Sequence, residues 1–108
     1  MPEKRVKDRV TKRLSVKFGR NNILDQSGIT SNLSPTGIFI RTNSGLSPGT
    51  PVDVELTLPD DRIIKLKGTV MWTKRVHPKL AGFSRNGMGI VLKDIPEEYT
   101  SLVTELLK

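Results

Sequence analysis

Between Val52 and Trp72 the chain alternates with a period of two so regularly that a β-hairpin is the structure it predicts. Val52, Val54, Leu56 and Leu58 are separated by Asp53, Glu55 and Thr57. This puts the apolar set on one face of an extended strand and the polar set on the other. Pro59-Asp60-Asp61 follows with turn chemistry. Ile64, Leu66, Gly68, Val70 and Trp72 then form the inward set of a long strand, with Lys65, Lys67, Thr69 and Thr73 facing water. A lone hairpin with one apolar face is marginal in water, so the chain needs further strands to cover it.

Those strands are present in the pattern. Leu14, Val16 and Phe18 alternate with Arg13, Ser15 and Lys17, a second strand runs from Ile23 to about Ser31 with Gly28 placed at a bulge, and Gly37–Thr42 is short and β-branched between turn residues. Met88, Ile90 and Leu92 close the series after a longer connection, Arg75–Asn86, that contains His77-Pro78. At the C-terminus the period changes. Tyr99, Leu102, Val103 and Leu106 follow helical spacing, and Asp94 with Glu97 three residues on resembles a capping box, giving a helix over about 96–107. The expected class is mainly β: six antiparallel strands in a small barrel, with one C-terminal α-helix that plugs or flanks it.

Composition narrows the function. The chain has 108 residues, no Cys and a formal charge of +7. One domain fits that length, and thiol catalysis, disulfides and zinc ribbons are excluded. No run of apolar residues suits a membrane span and no secretory signal is visible, so the expected address is cytoplasmic. The basic excess is local. Lys4, Arg5, Lys7, Arg9, Lys12, Arg13, Lys17 and Arg20 stand against Glu3 and Asp8 in the first twenty residues, which hold six of the seven net charges. Residues 21–108 are nearly neutral, and a globule with so basic an N-terminus, its flexible arm at 1–12 ahead of a barrel at 13–108, suggests an anionic partner.

Catalytic constellations are missing from the pattern. His77 is the one histidine and sits beside Pro78 in a polar loop. Asp60 and Asp61 share a turn, Asp53 and Glu55 face outward on a strand, and Glu97, Glu98 and Glu105 belong to the helix surface. No Ser has a nearby base, and no cluster has metal-ligand spacing. The chain reads as a binder and not an enzyme, with no cofactor.

Two motifs remain. One is Arg9-Val-Thr-Lys-Arg13, immediately before a strand; the other is Asn32-Leu-Ser34-Pro-Thr-Gly37, at a strand–turn–strand junction. Singly, each has an ordinary explanation. Arg5 and Arg9 repeat the first spacing by chance in an Arg-rich arm, and the second consists of common turn residues. Together and in this order they resemble the PilZ domain, which combines R-x-x-x-R before its first barrel strand with (D/N)-x-S-x-x-G downstream. Leu56-Thr-Leu-Pro59, Gly68-Thr-Val-Met-Trp72 and Gly87-Met-Gly-Ile-Val-Leu92 are similar to family segments, so the likeness spans about residues 5–93.

The resemblance implies a PilZ-type barrel and a bacterial receptor for the second messenger cyclic di-GMP. It implies Arg9, Arg13, Asn32, Ser34 and Gly37 as ligand-binding residues, with Arg5 and Lys12 as secondary candidates. The register Arg9/Arg13 is preferred because Arg13 abuts Leu14, as in the family pattern. The chemistry suits the ligand. A guanidinium gives paired N–H bonds to a phosphate or to a guanine edge and stacks on a purine. Asn32 and Ser34 share one side of an extended chain, and Gly37 would let the backbone approach the ligand. The expected output is ordering of the arm, which lacks the apolar residues needed to dock on the barrel, read by a separate effector protein. Two rivals stay open: a nucleic-acid-binding barrel, against which the scarcity of aromatic platforms counts, and a PilZ-fold interaction module without nucleotide. Phe18, Trp72 and Tyr99 fall on inward stripes, which leaves Phe39 and Phe83 as the stacking candidates.

Overall fold

The computed structural model describes residues 10–74 and 86–107. Within them run β1 (Val10–Thr11), β2 (Ser15–Arg20), β3 (Ile23–Ser34), β4 (Gly37–Arg41), β5 (Pro51–Thr57), β6 (Ile63–Lys74), β7 (Gly87–Lys93) and α1 (Glu97–Leu107). All pairings are antiparallel, and six strands close in the order β3-β2-β5-β6-β7-β4, with β4 returning to β3. The expected six-stranded barrel with a C-terminal helix is therefore what the chain forms. A further strand, β1, lies within the stretch read as arm and pairs with β3 through Val10↔Leu33 and Thr11↔Asn32.

The alternation that predicted the hairpin builds the core. Val16 and Phe18, Val52, Val54 and Leu56, Ile64, Leu66 and Val70, and Met88 and Ile90 are all buried. Polar partners of the same strands face out, where Lys17, Glu55 and Lys65 lie side by side across β2, β5 and β6. Opposite charges in adjacent positions favour that register over a slip. The β2–β3 turn is closed by Asn21 and Asn22 at φ 55° and 63°, the left-handed pair a two-residue hairpin needs and asparagine tolerates. Helix α1 buries Tyr99 and Val103 in the core, with Leu102 and Leu106 packed against it.

Three local expectations change. First, Gly28 is not at a bulge: it pairs in register with Val16, and the irregularities fall at Phe18/Arg20, Thr30/Asn32 and Val70/Trp72. Gly28 is small for another reason, since a Cβ there would lie 2.7 Å from the Arg41 carbonyl oxygen. Second, the helix begins at Glu97, so Asp94 stands too far upstream to form the capping box. Asp94 instead takes φ 48° in the turn leaving β7, and the first helical N–H bonds run from Tyr99 and Thr100 to the Pro96 carbonyl. Glu97 and Glu98 still place negative charge where the helix dipole favours it.

Third, Trp72 is not in the core. Val70 pairs with Ile90 and Trp72 with Gly89, so Met71 is an extra residue in β6. One inserted residue reverses the parity of everything after it. Trp72 consequently faces outward and is 45% exposed. Phe83, His77 and Arg5 lie outside the described residues.

Candidate functional site

Arg13 occupies a break between β1 and β2, and a buried threonine on β3 shapes that break. The Thr30 hydroxyl accepts the Leu14 N–H at 2.8 Å and donates to the Lys12 carbonyl at 2.6 Å, while the Thr30 N–H donates to the Leu14 carbonyl at 2.9 Å. Thr30 is fully buried, so these bonds have no competing water. They clamp the backbone on both sides of Arg13. Leu14 turns into the core, and the Arg13 side chain is left exposed. Lys12 contributes its carbonyl to the same clamp and is half-buried. Thr30→Val, which keeps the shape but removes the hydroxyl, is expected to destabilise the fold by about 1–3 kcal/mol. Thermal unfolding checks this, and a variant as stable as wild type would contradict it.

The second motif forms the β3–β4 turn. Asn32 pairs with Phe39, Leu33 with Ile38 and Ser34 with Gly37. Leu33 is fully buried, so Asn32 and Ser34 both belong to the outer face. The Ser34 hydroxyl donates to the Gly37 carbonyl at 3.3 Å across the turn. From below, the Tyr99 hydroxyl lies 2.8 Å from the Ser34 carbonyl and 3.1 Å from that of Gly37. Burial pushes the Tyr99 phenol well above its usual range, which keeps it a neutral donor. The helix is thus fastened to the backbone of the motif. Gly37 has a structural reason to be glycine, because a Cβ would stand 2.8 Å from the Ile90 carbonyl oxygen on β7.

Beside this turn lies an aromatic pair that the alternation pattern concealed. Phe39 and Trp72 have ring centroids 5.0 Å apart, tilted by 46°. Gly89 pairs with Phe39 on one side and with Trp72 on the other, so the pair spans β7 across a residue without a side chain. A Cβ on Gly89 would fall 2.3 Å from the indole Nε1, and one on Gly87 would fall 2.4 Å from a Phe39 ring carbon. Two glycines spaced by two on one strand were the available signal that outward space on β7 is filled by neighbouring rings. The resulting groove, about 190 Å³, is lined by Ser34, Gly37, Phe39, Trp72, Gly89 and Val91. Gly89→Ala is expected to displace the indole, read as a shift in the emission of the chain's one tryptophan; unaltered emission would contradict the packing.

Arg13 lines a second cavity, about 330 Å³, which it shares with Ile29 and Arg41. Its outward pairs Ile29–Arg41 and Asn32–Phe39 are consecutive along β3 and β4. The two cavities therefore flank the Asn32–Phe39 row on one face of the barrel. The structure brings Arg13, Asn32, Ser34 and Gly37 onto that face, but Arg13 and Ser34 do not line a common pocket. Arg9 lies outside the described residues. Among the described residues no cluster of His, Asp or Glu could hold a metal ion, and no helix is long and apolar enough to cross a membrane.

A closed six-stranded barrel, packed against a C-terminal helix and presenting arginines beside an aromatic pair, defines a small β-barrel domain. The sequence profile of the PilZ domain matches residues 3–107, and the chain belongs to that family. It is a family of ligand-binding regulatory domains. Solved structures agree on the fold. The PilZ domain of YcgR from Escherichia coli, solved with c-di-GMP, superposes with a TM-score of 0.71 at 8% identity, covering 91% of this chain and 87% of that one. The inhibitor of motility MotI/DgrA from Bacillus subtilis gives 0.70 at 21% identity over 92% of this chain, which spans 47% of that protein's length. The PilZ domain of CeSA from a cellulose-synthesizing bacterium gives 0.61 at 18% identity, covering 92% and 93%. No curated protein matches the chain.

Proposed function

We infer that this chain is a cytoplasmic bacterial receptor for cyclic di-GMP and carries no enzymatic activity of its own. The observation that supports this reading most is the shared outer face, where Arg13, the Asn32–Ser34 turn and the Phe39–Trp72 pair stand together. A guanine dinucleotide has phosphates for guanidinium groups, base edges for an amide and a hydroxyl, and flat rings for aromatic contact. The c-di-GMP held by the YcgR domain of similar fold points the same way.

Arg9 joins this site in the proposal through the arm, residues 1–12, with 13–108 as the barrel. Val10, its neighbour in the chain, pairs with Leu33, the neighbour of Ser34. Ligand bridging arm and barrel would order residues ahead of β1, and a separate effector protein would read the changed surface. Amide exchange across residues 1–13 tests that step: protection should rise on adding cyclic di-GMP, and unchanged exchange at saturation would sink it.

Calorimetric titration tests the receptor reading itself. Saturable binding of cyclic di-GMP that is lost in Arg13→Ala and weakened in Ser34→Ala is the expected result. The pair of half-buried Phe39 and exposed Trp72 also suits single-stranded nucleic acid, whose bases stack on such platforms. Salt-sensitive binding of single-stranded DNA, with no heat from cyclic di-GMP, would favour that reading instead. No binding of either would leave a protein-interaction module of the same fold.

A further inference from the structure

The cavity around Arg13 contains a second guanidinium that neither motif includes. It is lined by Arg13, Ile29, Arg41, Thr42, Asn43 and Asn86. Arg41 reaches this face because Ile38 and Ile40 are buried, which turns Gly37, Phe39 and Arg41 outward together on β4. Its cross-strand neighbours are Ile29 and Gly87, neither of which carries charge.

Among the described residues no carboxylate lines the cavity and neither arginine makes an ion pair. Residues 75–85, which lead into Asn86, contain Arg75, Lys79 and Arg85 and no acid. Two guanidinium groups lining one cavity repel each other. An anion relieves that repulsion directly.

The surrounding wall is held in place. Asn86 Nδ2 donates to Asn43 Oδ1 at 2.9 Å, and the Thr42 N–H donates to the Asn86 carbonyl at 3.3 Å. The Thr42 hydroxyl donates to the Ser27 carbonyl at 3.1 Å and accepts the Ser44 N–H at 3.0 Å. These bonds fix the exit of β4, immediately after Arg41.

We propose that Arg41 is a third ligand-binding arginine, which forms with Arg13 a seat for a phosphodiester of the bound dinucleotide. This rests on the cyclic di-GMP reading above. Paired guanidinium forks match phosphate oxygens. Phe39 stands between Gly37 and Arg41 on the same strand face, so a single ligand meets the cationic and the aromatic compartments at once.

The test is titration of the full chain with cyclic di-GMP at several salt concentrations. Arg41→Ala should weaken binding about ten- to hundredfold, the range for losing a charged hydrogen bond, and flatten its salt dependence. Arg41→Lys keeps the charge without the fork; it should retain the salt dependence and recover only part of the affinity. It also serves as the second variant if the alanine chain fails to fold. Arg20→Ala removes the same charge from the β2–β3 hairpin and should leave affinity within about twofold. Wild-type affinity in Arg41→Ala, or an equal loss in Arg20→Ala, overturns the role of Arg41 while the receptor reading stands. A wild-type chain that binds no cyclic di-GMP overturns both.

Discussion

Replacing Arg13 with alanine is expected to weaken binding of cyclic di-GMP by at least about a hundredfold. A charged hydrogen bond contributes about 1.5–3 kcal/mol and a guanidinium fork makes two, so losing the fork removes on the order of 3 kcal/mol or more. The barrel should not notice. Arg13 is exposed, and the clamp that shapes its backbone is made by Thr30, Lys12 and Leu14. Equilibrium titration alongside thermal unfolding separates the two effects. Undiminished affinity would remove the residue on which the site depends most, and a large fall in melting temperature would show that Arg13 has a packing role.

The largest expected loss of stability belongs to Tyr99. Its ring is fully buried where the helix meets the barrel, and its hydroxyl holds the Ser34 and Gly37 carbonyls. Truncating a buried aromatic costs about 3–5 kcal/mol, a large part of the roughly 5–15 kcal/mol that stabilises a domain of this kind. Tyr99→Ala should therefore lower the melting temperature by on the order of 15 °C or unfold the chain.

Tyr99→Phe isolates the hydroxyl. It keeps the packing, loses the bond to the turn and should cost about 1–3 kcal/mol. A pH series adds a second check. Because burial raises the phenol's folded pKa above an unfolded value of about 10, its contribution is complete below that pH and declines as pH rises beyond it. Tyr99→Phe should lack this alkaline component. An identical alkaline profile in both chains would contradict the buried-phenol account.

Most of the fold was legible because its determinants are local. Alternation at Val52–Leu58 and Leu14–Phe18 needs no knowledge of pairing partners, and the helical spacing from Tyr99 is equally self-contained. The errors arose where parity depends on a partner strand. Met71 resembles any other strand residue, yet as the inserted one it reverses Trp72 from core to surface. Gly28 suggested a bulge by type, whereas its small size answers to the Arg41 carbonyl on a neighbouring strand.

The candidate site divides in the same way. Arg13, Asn32 and Ser34 belong to short motifs and stood out in one dimension. Thr30, Phe39 and Arg41 acquire their importance only through the β3–β4 register and the closure of the barrel. A threonine inside a strand carries no mark of the two hydrogen bonds that its hydroxyl makes around Arg13.

Trp72 is the single tryptophan of the chain and lies on the face assigned to the ligand. Its fluorescence during a titration with cyclic di-GMP therefore tests the central claim where it is made. The account predicts a saturable change in emission that disappears in Arg13→Ala. Binding that leaves the emission untouched, or no binding at concentrations that saturate the YcgR domain, would contradict it.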